Sequence, residues 1–162
     1  MEPEIVGIGI ATIDHLYVLE DIAALPEGNL LDYSIQGGGM AATAMAAAAR
    51  LGARCAVILS LGRDDRGSQV LENLRKMGVD VSLCSRTSCA TPLVTVLVDA
   101  TTGARHFLPL KCNSSHPGPD DIDWDVVSRA NIFLVDSWTS DPGKVLARAQ
   151  EAELTTLVDM EF

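Results

Sequence analysis

The chain has 162 residues, 48% of them hydrophobic, which is enough for the core of one domain. Twelve Lys and Arg against 22 Asp and Glu give a formal net charge of -10, which argues against nucleic acid or an anionic membrane as a partner and favours a small molecule. No apolar run approaches the roughly 18 residues of a membrane span, and the first residues lack the basic start of a secretion signal. We therefore expect a cytoplasmic protein.

Cysteine and histidine spacing points to neither a disulfide framework nor a metal site. The residues concerned are Cys55, Cys84, Cys89, Cys112, His15, His106 and His116. We expect reduced thiols, structural imidazoles and no bound metal.

The first half of the chain alternates apolar strand patterns with helical ones. The predicted elements are a strand at 4–11, a hairpin over 15–35, a helix after the glycine run that ends at Gly52, a strand at 53–61, a helix at 68–77 and a strand at 79–84. This alternation predicts right-handed crossovers and a mostly parallel sheet with helices on both faces.

The second half interrupts the alternation with another hairpin and then resumes it. The predicted elements are strands at 92–100 and 104–110, a loop at 114–125, a helical turn at 126–130, a strand at 132–136, a helix at 143–153 and a strand at 155–159. We expect the two hairpins to pair as one small antiparallel sheet beside the main one.

Two features predict where a ligand binds. Gly37, Gly38 and Gly39 lead directly into an alanine-rich helix, whose first turn offers unpaired N–H groups and a positive dipole end to hydroxyls or anions. Asp14 and Asp136, together with Asp159, follow predicted strands, and parallel sheets bind ligands at the carboxyl ends of their strands. The competing interpretation is a tight turn before a buried helix, with carboxylates that cap turns or helices.

Several separated motifs together resemble the ribokinase/PfkB family of carbohydrate kinases. They occupy residues 9–14, 38–39, 50–53, 61–67 and 97–105, in the family's order and spacing. The resemblance implies a ribokinase-like three-layer α/β fold over 1–162, with a mostly parallel sheet and a small antiparallel β-lid formed by hairpins at about 15–35 and 92–110. It also implies that the lid closes over the sugar and supports a possible homodimer.

By the same resemblance, Asp14 accepts hydrogen bonds from sugar hydroxyls, and the backbone of Gly38 and Gly39 lines the sugar. Asp136 is similar to the acidic residue that ends the strand behind the substrate. Thr43 stands where the family usually has an asparagine that contacts the sugar.

The substrate class is narrowed by the glycine-rich motif at 37–44 and the Asp-Trp-Asp-Val-Val segment at 123–127, which look most like those of sulfofructose kinases and related ketose kinases. An anionic sugar needs a basic partner. The candidates in the second hairpin are Arg105 and Lys111.

The family's phosphotransfer residues lie in a second half that begins beyond this chain's length. The Gly-Ala-Gly-Asp turn that supplies the general base is not among residues 1–162, and no Walker-type loop replaces it. We therefore expect an N-terminal half, incomplete at the C-terminal side, with no catalytic residue of its own. ATP and Mg²⁺ are implied for the full-length protein. The alternatives are a non-catalytic sugar-binding or dimerisation module, and a nucleoside kinase of the same fold.

Overall fold

A computed structural model describes residues 2–25 and 27–160. Within these residues the strands are β1 (Ile5–Gly9), β2 (Thr12–Leu19), β3 (Leu30–Gly38), β4 (Cys55–Gly62), β5 (Ser85–Thr87), β6 (Leu93–Asp99), β7 (Arg105–Pro109), β8 (Ile132–Asp136) and β9 (Thr155–Asp159). The α-helices are α1 (Met40–Arg50), α2 (Asp65–Lys76), α3 (Trp124–Val127) and α4 (Pro142–Glu151). In this part of the chain, no helix is both long and apolar enough to cross a membrane.

The main sheet is parallel throughout, as the alternating pattern predicts. Its strand order is β5-β4-β1-β8-β9. One face packs on α1 and α2, with Met45 and Leu71 in its core, and the other packs on α3 and α4, with Phe133 and Val145 in its core. Helices on both faces explain why β4 is buried along its whole length.

Helix α1 lies close against β1 because a glycine leaves room for it. A Cβ atom built on Gly7 would lie 2.9 Å from Cγ of Met45. The buried alanines Ala41 and Ala42 keep the start of α1 slim. The beginning of α1 is thereby held beside the carboxyl end of β1.

A second sheet, here called the lid sheet, has the order β3-β2-β6-β7. Both predicted hairpins are present as antiparallel pairs, β2 with β3 and β6 with β7. The prediction of an antiparallel layer is wrong at its centre, because β2 and β6 run parallel and make the sheet mixed. The reason lies in the connections: β2 and β6 both leave the carboxyl edge of the main sheet, so they point the same way, joined at their start by the bond from Ile13 N–H to the Pro92 carbonyl (3.1 Å).

The strand predicted at 79–84 is also corrected. Only Asp80 makes a bridge there, with Ala56, and β5 begins at Ser85. The Asp80 carboxylate accepts the Ser82 N–H (2.8 Å) and Cys84 N–H donates to the Val81 carbonyl (3.1 Å), so the chain turns here. The valines that suggested a strand are buried all the same, as anchors of this turn.

Candidate sugar site

A cleft of 890 Å³ lies between the carboxyl edge of the main sheet and the lid sheet. Five of the predicted site residues line it: Asp14, Gly38, Gly39, Thr43 and Arg105. They come from the lid sheet, the glycine turn and α1, three elements that meet where β2 and β3 connect β1 to α1. The structure therefore brings together most of the residues that the sequence singled out.

Asp14 projects from β2 towards the glycine turn. Its Oδ1 accepts a hydrogen bond from the Thr12 hydroxyl (2.6 Å), and among the described residues its Oδ2 accepts none. A side chain at Gly38 would collide with this carboxylate. Glycine at 38 thus leaves Asp14 a half-buried position from which a free oxygen can accept a ligand hydroxyl.

Gly39 is the N-cap of α1 and has a φ of 90°, a backbone conformation that side chains rarely adopt. A Cβ atom there would also collide with the Ile10 carbonyl and lie 2.6 Å from Cα of Ala11. Two constraints therefore require glycine at this position.

Asp136 lies beneath the cleft and does not line it. Its side chain is 0% exposed. Oδ2 accepts the N–H groups of Ile10 (2.8 Å) and Ala41 (3.2 Å), and Oδ1 accepts that of Trp138 (2.9 Å). The pKa of Asp136 is raised above its ordinary value, chiefly by burial and also by the negative charge of Asp159. The three backbone donors lower this pKa but do not cancel the increase. The carboxylate therefore caps α1 from a neighbouring strand, where Gly39 has no side chain to do so.

This arrangement changes the expectation for the helix start. Asp136 takes the Ala41 N–H, and Ala42 N–H donates to the Ile10 carbonyl (3.4 Å). Much of the first turn of α1 is thus occupied from within the protein. The glycine backbone, rather than an open helix terminus, is what this edge offers to a ligand.

The two candidate cations differ in placement. Arg105 lines the cleft from β7, and its guanidinium lies 5.8 Å from the centre of the Phe107 ring. Lys111 is exposed and lies outside the lining, although its neighbours Leu110 and Cys112 belong to it.

The cleft is also lined by aromatic and polar side chains that the sequence did not predict. They are Ser114, His116 and Trp138, and they share the lining with Asp159 at the end of β9, which the sequence did place at this edge. Ser114 and His116 fall in a segment predicted only as loop. The available signal was the position of Trp138, two residues beyond the end of β8 at the carboxyl edge.

The described residues do not fit the triphosphate of ATP or its Mg²⁺. Two first-turn donors of α1, the N–H groups of Ala41 and Ala42, are used internally. The charged cleft residues are Asp14, Asp159 and Arg105, a net negative set. Phosphoryl groups need clustered donors or cations around them.

Comparison with known proteins agrees with this geometry. The sequence profile of pfkB family carbohydrate kinases matches residues 2–155. The chain belongs to the pfkB family. Fructokinase from Xylella fastidiosa superposes with a TM-score of 0.77 at 24% identity, over 98% of this chain and 53% of that one. Arabidopsis thaliana ribokinase complexed with ribose and ATP superposes with a TM-score of 0.76 at 21% identity, over 98% of this chain and 53% of that one.

Ribokinase from Cryptococcus neoformans in complex with ADP gives a TM-score of 0.76 at 18% identity, over 97% of this chain and 50% of that one. At these identities the likeness establishes the ribokinase-like fold. This pfkB family chain spans about half the length of the solved structures it matches.

Proposed function

We propose that the full-length protein transfers the γ-phosphate of ATP to a sugar hydroxyl, and that residues 1–162 supply the sugar site and the lid. The observation that carries the proposal is the cleft itself, in which Asp14 presents a free carboxylate oxygen beside the glycine turn. Family membership supports the class of reaction, and the ribose-bound and nucleotide-bound relatives support the class of substrates.

The described residues suit the binding of a polyol. A carboxylate that accepts from ligand hydroxyls forms charge-assisted hydrogen bonds, which are stronger than neutral ones. The Thr43 hydroxyl, which lines the same cleft, both donates and accepts. In this proposal the general base, ATP and Mg²⁺ are held by the remainder of the full-length protein.

We further propose that the sugar carries an anionic substituent and that Arg105 binds this substituent. It is the candidate cation that lines the cleft, whereas Lys111 is exposed outside it. A sulfonated or phosphorylated ketose would then bind more tightly than the neutral ketose, and Arg105→Gln would remove that preference without weakening the neutral sugar.

A homodimer through the lid sheet is also part of the proposal. Leu31, Tyr33, Ile35 and Leu108 are 44% to 57% exposed and share one face by strand register. The opposite face carries Asp14 and Arg105 and turns to the cleft. Leu16, Val18, Val94 and Val96 lie on that inner face, so a second copy would cover the outer one. Ile35→Lys should lower the molar mass measured by light scattering from that of a dimer to that of a monomer.

The function is tested by turnover of the full-length protein in a coupled assay with D-fructose, D-ribose and a sulfonated ketose. Loss of a charge-assisted acceptor costs roughly 1.5 to 3 kcal/mol, so Asp14→Ala should lower kcat/KM roughly 10- to 100-fold. Asp65→Ala removes an exposed carboxylate on α2 and should leave it unchanged. Equal turnover of the wild type and Asp14→Ala would contradict the proposal.

A further inference from the structure

A tryptophan side chain lies exposed inside the cleft. Trp138 is 50% exposed and lines the cleft together with Asp14 and Asp159. Large aromatic side chains contribute strongly to binding when a ligand covers them, and ligand sites combine such surfaces with a few polar groups that fix orientation. The arrangement of an open indole and carboxylates in one concavity therefore suits a ligand with one apolar face and a polar edge.

The indole has an aromatic neighbour within the cleft lining. The His116 ring lies with its centre 5.7 Å from that of Trp138, at an interplanar angle of 32°. His116 is held in turn by the Ser114 hydroxyl, 3.4 Å from its Nε2. The histidine thus lies beside the indole, and half of the tryptophan surface remains exposed.

The loop that carries Trp138 is fixed at both ends. Trp138 N–H donates to the buried Asp136 carboxylate (2.9 Å), and the Thr139 hydroxyl donates to the Ile8 carbonyl (3.3 Å) in the main sheet. Ser140 N–H donates to the Pro117 carbonyl (2.8 Å), which joins this loop to the segment of His116. The backbone that carries the indole is therefore held in place before any ligand arrives, which lowers the entropy cost of ordering the loop on binding.

We propose that Trp138 is a stacking platform for the sugar ring and a specificity-determining residue of this site. The C–H face of the sugar packs on the indole while hydroxyls at its edge reach Asp14. This inference rests on the proposed function, because it takes a sugar as the ligand. A purine base also stacks on an indole, so the test includes a nucleoside.

The chain provides its own control, because it has two tryptophans. Trp124 lies outside the cleft, with the Arg148 guanidinium 4.7 Å from its ring centre and Phe133 at 6.0 Å. In Trp124→Phe the tryptophan fluorescence, excited selectively over that of the two tyrosines, comes from Trp138, and in Trp138→Phe it comes from Trp124. The 162-residue form of each variant is titrated with D-fructose, D-ribose and adenosine. A sugar should change the emission of Trp124→Phe and leave that of Trp138→Phe unchanged.

Calorimetry then measures the affinity. Trp138→Ala should weaken sugar binding roughly 3- to 10-fold, the range expected for lost aromatic contact, and Trp138→Phe should stay within about twofold of the wild type. The fluorescence arm leaves Trp138 in place, so it decides the question even where the alanine variant does not fold.

The outcomes separate this inference from the proposed function. Sugar binding that is lost in Asp14→Ala, with unchanged Trp138 emission and unchanged affinity of Trp138→Ala, overturns the platform and leaves the sugar site standing. A response to adenosine without a response to either sugar overturns the platform as a sugar site and points to a nucleobase. Binding of no sugar at all overturns both proposals.

Discussion

The buried carboxylate of Asp136 offers the most quantitative prediction, since three backbone donors converge on a side chain that is 0% exposed. Asp136→Ala leaves the N–H groups of Ile10, Ala41 and Trp138 without that acceptor. An unsatisfied buried polar group costs about 1 to 3 kcal/mol. Because water entering the space relieves part of this cost, we expect a total loss of about 3 to 5 kcal/mol in the free energy of unfolding.

The assay is urea unfolding followed by circular dichroism, with an unchanged m value as the sign that only stability has changed. Asp136→Asn keeps one oxygen but turns an NH₂ group towards a donor, so it should lose less than Asp136→Ala, about 1 to 3 kcal/mol. Asp65→Ala, which removes an exposed carboxylate, should stay within about 0.5 kcal/mol of the wild type. A loss below about 1 kcal/mol in Asp136→Ala would refute the cap assigned to this carboxylate.

Three further predictions concern the glycine turn, acid stability and catalysis. Gly39→Val, at a φ of 90°, should lower the free energy of unfolding by at least about 2 kcal/mol, whereas Gly37→Ala, whose Cβ meets nothing within 4 Å, should be tolerated; equal losses in urea would exclude the steric argument. Hydrogen bonds from Ile22 and Thr102 lower the pKa of Asp99 to about 2 from 3.8, so its stabilisation is complete above pH 4 and is lost as the pH falls towards 2. The advantage of the wild type over Asp99→Asn in thermal melting should shrink across that window, and a constant advantage from pH 6 to pH 2.5 would contradict it. The 162-residue chain should show no sugar phosphorylation with ATP and Mg²⁺, since positioned acid–base help alone contributes roughly 10²- to 10⁴-fold; turnover that Asp14→Ala abolishes would disprove this.

Local sequence patterns were sufficient to predict the bounds of a strand where it is short, apolar and bounded by polar residues. The strands at 132–136 and 155–159 have their predicted bounds, and the helix after the glycine run was predicted because alanines favour helix. The strand predicted at 79–84 failed because alternating valines describe burial equally well in a turn. The parallel pairing of β2 with β6 depends on the direction in which two distant connections leave the main sheet. A local sequence pattern does not contain that direction.

The site residues also differ in how far local sequence patterns could predict them. Asp14 was predicted from its place after a strand and the glycines from the turn before a helix, and all of them line the cleft. The role of Asp136 as a cap depends on a hydrogen bond from Ala41, 95 residues away. The role proposed for Trp138 depends on a loop that lies beside His116, which is also distant along the chain. Such long-range pairings arise from the fold and are not encoded in spacing along the sequence.

The central claim is that this chain holds the sugar and leaves the nucleotide to the rest of the protein. Isothermal titration of the 162-residue chain with a sugar panel and, separately, with ATP tests it most directly. We predict heat of binding with a sugar, its loss in Asp14→Ala and its retention in Asp65→Ala, and no heat with ATP. Sugar binding that survives Asp14→Ala, or saturable binding of ATP to this chain, would contradict the claim.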